Sequence, residues 1–179
     1  SGDPNWGESP WGLDIERFIG FPPDYRIEQV NPMVHFTGWG GCGPKPTGMI
    51  SVKGVLYLAV QNCGGKKPPV YGTKSQNGTD AHIFASRDFG KTWSPTAWAT
   101  QMKQMFPGHR FGGPAFVNFG MDNAGTRDEF VYAVSTDQWD NGSQLVLGRV
   151  PQDKIQDTGS WQWVEEVDEA NEPRWTSDL

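Results

Sequence analysis

The chain is poor in the residues that mark several common functional classes. Its 179 residues include 15 Lys and Arg against 21 Asp and Glu, which gives a formal net charge of −6. Nucleic-acid backbones are bound by clustered cations, so no nucleic-acid partner is expected. The three histidines, at positions 35, 82 and 109, lie too far apart to show metal-ligand spacing, and neither a metal nor another cofactor is expected. No apolar run is long enough to cross a membrane, so no membrane partner is expected.

Turn-forming and aromatic residues are abundant instead. The chain contains 23 Gly and 14 Pro, and aromatic residues make up 13% of it. This many turn formers leave little room for long helices, and the aromatic residues argue against disorder. The composition therefore indicates a β-rich fold.

Two successive series of short apolar segments predict two four-stranded antiparallel units. The first series comprises residues 48–52, 55–60 and 81–86 and a strand that starts near Trp93; the second comprises 114–119, 129–134, 144–150 and 161–164. Radial repetition of such units is typical of a β-propeller. We therefore predict an all-β chain with a partial blade and connections at 1–47, one blade at 48–108 and the following blade at 109–179.

One segment, residues 86–93, is a specific motif. It reads SRDFGKTW and fits the pattern S-x-D-x-G-x-T-W, whose fixed positions here are Ser86, Asp88, Gly90, Thr92 and Trp93. The hydroxyl and the carboxylate can bond the backbone of a hairpin turn, the glycine permits an unusual backbone conformation, and the indole can be buried between strands. We therefore assign the motif to the fold and not to catalysis.

This motif resembles the Asp box of sialidases and related propellers. The chain as a whole is similar to a family of five-bladed propellers of unknown function, related to glycosidase-like propellers such as the endo-D-arabinanases. The similarity lies in the Asp box and in segments 43–49, 54–58, 111–120, 124–132 and 147–155. It implies a carbohydrate-active protein whose remaining blades come from the same or another chain, with a polysaccharide or oligosaccharide as its partner.

Cysteines and glycosylation motifs favour an extracellular location. Asn77 and Asn141 each begin an N-x-S/T triplet within a Gly-rich polar turn. Secretion would allow a disulfide between Cys42 and Cys63, which flank a strand-like segment, although two free thiols remain the alternative.

Candidate site residues are those expected where the inner strands of a propeller line its channel. Glycoside hydrolysis normally needs two carboxylates, and Asp137 and Asp80 are the best acidic candidates, although they form no convincing pair in the sequence. Cationic and amide groups could hold sugar hydroxyls or a uronate carboxylate. The candidates for this role are Lys45, Asn62, His82, Asn118, Arg127 and Arg149. Asp128, the acid that follows Arg127, is a further candidate.

Three functions are compatible with these residues. The first is a secreted glycoside hydrolase acting on a polysaccharide, and the second is a non-catalytic glycan- or protein-binding propeller. The third is a polysaccharide lyase, for which a Tyr or His base beside Arg or Lys would be needed. Because one fold hosts many activities, the groups gathered at the site must decide among them.

Overall fold

The computed structural model describes residues 45–62, 80–94, 105–106, 111–136 and 143–178. The first sheet consists of β1 (Lys45–Val52), β2 (Val55–Asn62) and β3 (Asp80–Ser86), paired antiparallel in chain order. A fourth strand was expected to start near Trp93; the described residues of this segment end at Ser94, which forms an antiparallel bridge with Ala85.

The second sheet is also antiparallel and follows chain order. It consists of β4 (Ala115–Val117), β5 (Phe130–Thr136), β6 (Leu145–Pro151), β7 (Gln162–Val167) and β8 (Pro173–Thr176). Two short 3₁₀ helices, Met121–Asn123 and Thr158–Ser160, lie in its connections. The prediction of an all-β chain with antiparallel sheets is confirmed for these described segments.

Three details of the strands differ from the prediction. Strand β4 is shorter than the predicted 114–119, because the chain turns into the 3₁₀ helix at Met121–Asn123. Strand β8 was not predicted; it pairs with β7 through a register shift between Val164 and Glu166. The first sheet starts at Lys45, ahead of the blade boundary expected at residue 48.

Alternating burial shows where the core lies. Along β5, Val131, Ala133 and Ser135 are buried while their neighbours are only half-buried, as expected of a strand with one face in the core. The buried face of the second sheet shares a single apolar cluster with one face of the first sheet, to which Ile50 and Ile83 belong. The two sheets therefore pack face to face.

Four aromatic rings fill the centre of this cluster. Phe106 lies edge-on to Phe111, Trp161 and Trp163, with ring centroids 5.1 to 6.4 Å apart, a favourable arrangement for aromatic pairs. The Trp161 indole N–H donates to the Ile155 carbonyl, so its polar atom is satisfied in the interior.

The first strands of the two sheets run side by side in the same direction. Thr47 Oγ1 donates to the Pro114 carbonyl, and further along both segments Ser51 Oγ and Gly54 N donate to the Asp122 carboxylate. Residue numbers therefore increase in the same direction along β1 and along the segment that contains β4, so the two strands are parallel. We call this contact between β1 and the β4 segment the seam. Each sheet begins with its first strand at the seam, and its later strands lie progressively farther from it.

Candidate functional site

The turn that follows β3 is built by two side chains. Ser86 Oγ donates to Asp88 Oδ1 at 2.8 Å and accepts a bond from Gly90 N at 2.8 Å. The Asp88 carboxylate accepts from Thr92 Oγ1 at 2.6 Å and from Thr92 N at 2.9 Å. These bonds close the turn from within, and Gly90 adopts a φ of 85°, which side chains rarely tolerate.

Hydrogen bonding holds Asp88 in its charged form. The bond from the Thr92 side chain, then that from the Thr92 backbone, lowers the pKa of Asp88 to about 2. A carboxyl with this pKa is a poor proton donor near neutral pH. The geometry thus gives Asp88 the role of an ionised acceptor that organises the turn.

Trp93 anchors the same turn in the first sheet. Its side chain is buried in a second apolar cluster with Leu58, Val60 and Phe84, on the face of the sheet opposite the shared core. The first sheet is therefore apolar on both faces. A sheet with two buried faces is expected to be an interior layer.

Three predicted site residues meet at one end of the first sheet. Lys45 begins β1 opposite Gln61, and Asn62 ends β2 opposite Asp80, the first residue of β3. The backbone therefore brings Lys45, Asn62 and Asp80 to one end of three neighbouring strands.

The corresponding end of the second sheet includes Thr136, the last residue of β5. This correspondence follows because β1 and β4 run in the same direction and β5 is antiparallel to β4. The predicted acid Asp137 comes next in the sequence and lies outside the described residues.

The other predicted residues are grouped at the opposite end. Asn118 directly follows β4, Arg127 and Asp128 precede β5, and Arg149 lies near the end of β6. Strands of seven or eight residues separate the two ends by roughly 25 Å. The predicted set therefore divides into two groups that cannot share one sugar ring.

His82 lies inside the first sheet. Its side chain is 3% exposed, and it is paired across the strands with Val60. Burial lowers the pKa of His82 to about 4, so its imidazole is neutral at physiological pH. The structure thus gives this predicted sugar-binding residue an interior position.

Arg149, in the second group, contacts two aromatic rings and a glutamine side chain. Its guanidinium carbon lies 4.3 Å from the centre of the Phe130 ring and 4.0 Å from the Trp175 ring, and its Nε donates to Gln162 Oε1 at 3.0 Å. Stacking on aromatic faces and a hydrogen bond at the edge together restrict the plane of the guanidinium.

A tyrosine and an aspartate complete this cluster. Tyr132, opposite Arg149 in the register, donates its hydroxyl to Asp128 Oδ2 at 2.6 Å. Desolvation opposes ionisation of Asp128, but bonds from Tyr132, the Phe130 N–H and Thr126, with the charge of Arg149, lower its pKa overall. Burial and then the bond to Asp128 raise the pKa of Tyr132, so the phenol remains protonated.

Aromatic rings extend this cluster across the sheet. The Tyr132 ring centroid lies 6.2 Å from that of Phe119 and 6.0 Å from that of Trp175. The sequence reasoning did not single out these three residues or Gln162. The apolar alternation of β5 could have identified Tyr132, but the contact with Trp175 depends on the unpredicted β8.

Other predicted features fall on the remaining parts of the chain. Asn118 and Arg127 are exposed. The predicted disulfide partners Cys42 and Cys63 and the predicted glycosylation sites Asn77 and Asn141 lie outside the described residues. Within the described segments, no three His, Cys, Asp or Glu side chains form a potential metal site, and no helix there is long and apolar enough to span a membrane.

Comparison of the sequence with known proteins does not assign the chain to a family. No protein-family model matches the chain, and no curated protein matches it. One fold hosts many activities, so the function depends on the residues of the site themselves.

Proposed function

We propose that this chain is part of a secreted, sialidase-like β-propeller that acts on carbohydrate. The observation that carries this proposal is the parallel, side-by-side course of β1 and β4, each opening an antiparallel sheet that proceeds away from the seam. Radially arranged blades have this organisation. The remaining blades would come from the same polypeptide or from another chain.

The turn at residues 86–93 supports the same proposal. Its Ser, Asp, Gly, Thr and Trp positions have the hydrogen-bonding and packing roles expected of an Asp box. It lies after β3, away from the seam formed by the first strands. In a propeller this position is on the outer side of a blade, so the turn would stabilise the fold.

Chemistry is proposed at the end of the sheets where Lys45, Asn62 and Asp80 gather. Asp80 begins β3 at this end, and Asp137 follows in sequence the β5 residue Thr136 at the corresponding end. Two carboxylates flanking a glycosidic bond can serve as acid and as base or nucleophile. Hydrolysis of a polysaccharide by Asp80 and Asp137 is therefore our leading proposal, with Lys45 and Asn62 binding sugar hydroxyls.

Release of reducing ends from a panel of polysaccharides would test hydrolysis. We expect Asp80→Asn and Asp137→Asn each to lower kcat at least about a hundredfold, since general acid–base catalysis contributes on this order. Glu169→Gln, an exposed change in the turn between β7 and β8, is the matched control. Full activity in both aspartate variants, with native circular dichroism, would contradict this assignment.

Non-catalytic glycan binding is the second candidate. It is favoured by the cluster of Arg149 with Trp175 and Phe130, which combines apolar ring faces with hydrogen-bonding groups. Binding of a glycan without any release of reducing ends would support it. A lyase would instead produce a carbon–carbon double bond conjugated with a uronate carboxylate, detected by ultraviolet absorbance.

The secreted state can be tested independently. Intact mass before and after reduction would show whether Cys42 and Cys63 are joined, and treatment with an N-glycosidase would show whether Asn77 or Asn141 carries a glycan. A fully reduced, unglycosylated protein isolated from its natural source would argue against secretion.

A further inference from the structure

The ladder of backbone hydrogen bonds between β4 and β5 ends at a proline. Ala115, the first residue of β4, lies opposite Val134 of β5. The residue before it, Pro114, has no backbone N–H to donate, and its carbonyl accepts from Thr47 Oγ1 of β1. The last two residues of β5, at positions 135 and 136, therefore receive no backbone hydrogen bond from Pro114.

The side chain of Ser135 continues the connection that the proline interrupts. Its Oγ accepts from Gly113 N at 3.0 Å and donates to the carbonyl oxygen of Thr136 at 2.8 Å. The side chain is 2% exposed and follows Val131 and Ala133 in the buried alternation of β5. A buried hydroxyl that both donates and accepts is held in one orientation by its two partners.

The carbonyl that accepts from Ser135 belongs to the peptide bond between Thr136 and Asp137. Because a peptide group is planar, a hydrogen bond to its carbonyl oxygen restricts the direction in which the chain continues. Thr136 also pairs with Leu145 of β6. Ser135 thus adds a second constraint at the point where the chain leaves β5, at the end of the sheets where hydrolysis is proposed.

A polar side chain at this core position needs an explanation. Burial of a hydroxyl costs free energy unless it is hydrogen-bonded, and the preceding core position of β5 is Ala133. The corresponding second strand of the first sheet has the same exception, since Gln61, 1% exposed, follows Ala59 in the buried series and directly precedes Asn62. In both sheets a buried polar side chain therefore stands next to the end that carries the proposed site.

We propose that Ser135 is a positioning residue for the reaction at this end of the sheets, because its hydroxyl holds the peptide group that carries Asp137. This inference rests on the proposed hydrolase function. Ser135 acts through Asp137 and not on the substrate, since its hydroxyl is buried and already bonded to two backbone groups. Misplacement of a reacting group slows the chemical step, so the effect falls on kcat.

Steady-state kinetics on the polysaccharide from which the wild type releases most reducing ends test this role. Ser135→Ala should lower kcat about tenfold and change KM by less than about twofold, the pattern of an interaction that matters in the transition state. Ser135→Thr, which keeps the hydroxyl, should restore most of kcat. Ser160→Ala is the matched control, because it removes a 2.9 Å bond to Asp157 Oδ2 in the connection at the opposite end of β6. Unchanged kcat in Ser135→Ala would refute the role.

A double-mutant cycle separates positioning from a general loss of stability. In the Asp137→Asn background, Ser135→Ala should lower kcat by less than about a further twofold, because the group through which it acts has already been removed. An equal loss in both backgrounds would show that Ser135 supports the fold as a whole, and would overturn the proposal.

Nuclear magnetic resonance provides a readout that needs no activity. The ¹⁵N order parameter of the Asp137 amide should fall in Ser135→Ala and stay unchanged in Ser160→Ala. An unchanged value in Ser135→Ala would refute the constraint on this peptide group, whether or not the protein is a hydrolase.

The two proposals fail in different ways. A loss of kcat in Asp137→Asn without one in Ser135→Ala would refute the positioning role and leave the hydrolase function intact. A lower order parameter in a protein that hydrolyses no polysaccharide would support the constraint by Ser135 and count against the hydrolase function. Full activity in Asp137→Asn would overturn the catalytic assignment of Asp137 and the positioning role together.

Discussion

Thr47 Oγ1 donates a 2.9 Å hydrogen bond to the carbonyl oxygen of Pro114, across 67 residues of sequence. The bond joins β1 of the first sheet to the residue just before β4 of the second. A backbone carbonyl beside a strand interior needs such a partner when water is excluded. The contact requires β1 and the segment before β4 to approach closely, and the next residue on β1, Gly48, is a glycine.

Gly48→Ala should destabilise the protein through this close approach. A Cβ at position 48 would lie 2.7 Å from Pro114 O and 3.0 Å from Ala115 Cα, which are backbone atoms that cannot turn aside. We expect a loss of about 1 to 3 kcal/mol in the free energy of unfolding, measured by urea denaturation. Gly159→Ala is the matched control, because its Cβ would meet only Asp157 Oδ1, at 3.7 Å. Equal stability of the two variants would show that the sheets do not meet closely at Gly48.

Asp122→Ala should weaken the far end of the same seam. The Asp122 carboxylate accepts from Ser51 Oγ at 2.7 Å and from Gly54 N at 2.9 Å. Loss of these bonds to a charged acceptor should cost about 1 to 2 kcal/mol of stability, again measured by urea denaturation. Glu169→Ala, an exposed acid remote from the seam in sequence, should change the free energy of unfolding by less than about 0.5 kcal/mol. A comparable loss in both variants would point to a general charge effect.

Local patterns were sufficient to predict most of the strands. The run from Val55 to Val60 is apolar throughout and forms part of β2, which is consistent with the two apolar faces of that sheet. The two-residue turn at Lys53 and Gly54 has φ values of 51° and 74°, as a tight hairpin demands. Strand β8 could not be predicted, because Pro173 and Arg174 have no strand signature and their pairing depends on a register shift in β7.

The candidate site was less accessible to sequence reasoning. Lys45, Asn62 and Asp80 could be selected as residues at strand ends, and the register does bring their backbones together. Residue type alone could not show that Arg149 belongs to the opposite end or that His82 is buried. Strand direction and the face that each residue occupies are properties of pairing over long sequence distances.

Thr92→Val should raise the pKa of Asp88 from about 2 towards its ordinary value of 3.8. The Thr92 side-chain hydrogen bond is the largest cause of the lowered pKa, and valine keeps the shape of threonine without the hydroxyl. The midpoint of the Asp88 carboxyl carbon shift in an NMR titration measures this change, with Ser94→Ala as a control in the same segment. An unchanged midpoint would mean that the backbone bonds alone hold the charge. Because the folded pKa is depressed, the stability from Asp88 is present above pH 3.8 and is lost as pH falls towards 2.

The buried imidazole of His82 should make stability fall at mildly acidic pH. Desolvation lowers its folded pKa to about 4 from the ordinary 6.5, so the unfolded chain binds the proton more tightly. The contribution of the neutral His82 imidazole to the free energy of unfolding is complete above pH 6.5 and is lost as pH falls towards 4. Inside that window the free energy of unfolding changes by about 1.4 kcal/mol per pH unit.

A direct comparison of two proteins isolates this effect from the titration of other groups. The free energy of unfolding is measured by urea denaturation between pH 4 and 7 for the wild type and for His82→Gln, which remains uncharged. We expect the difference in stability between the two to change with pH in favour of the glutamine variant as the solution becomes more acidic. A parallel pH dependence of the two proteins, or an imidazole NMR titration centred near 6.5, would show that His82 is accessible to water. Its position within β3 would then have to be revised, and a role at the sugar-binding end of the sheet would become open again.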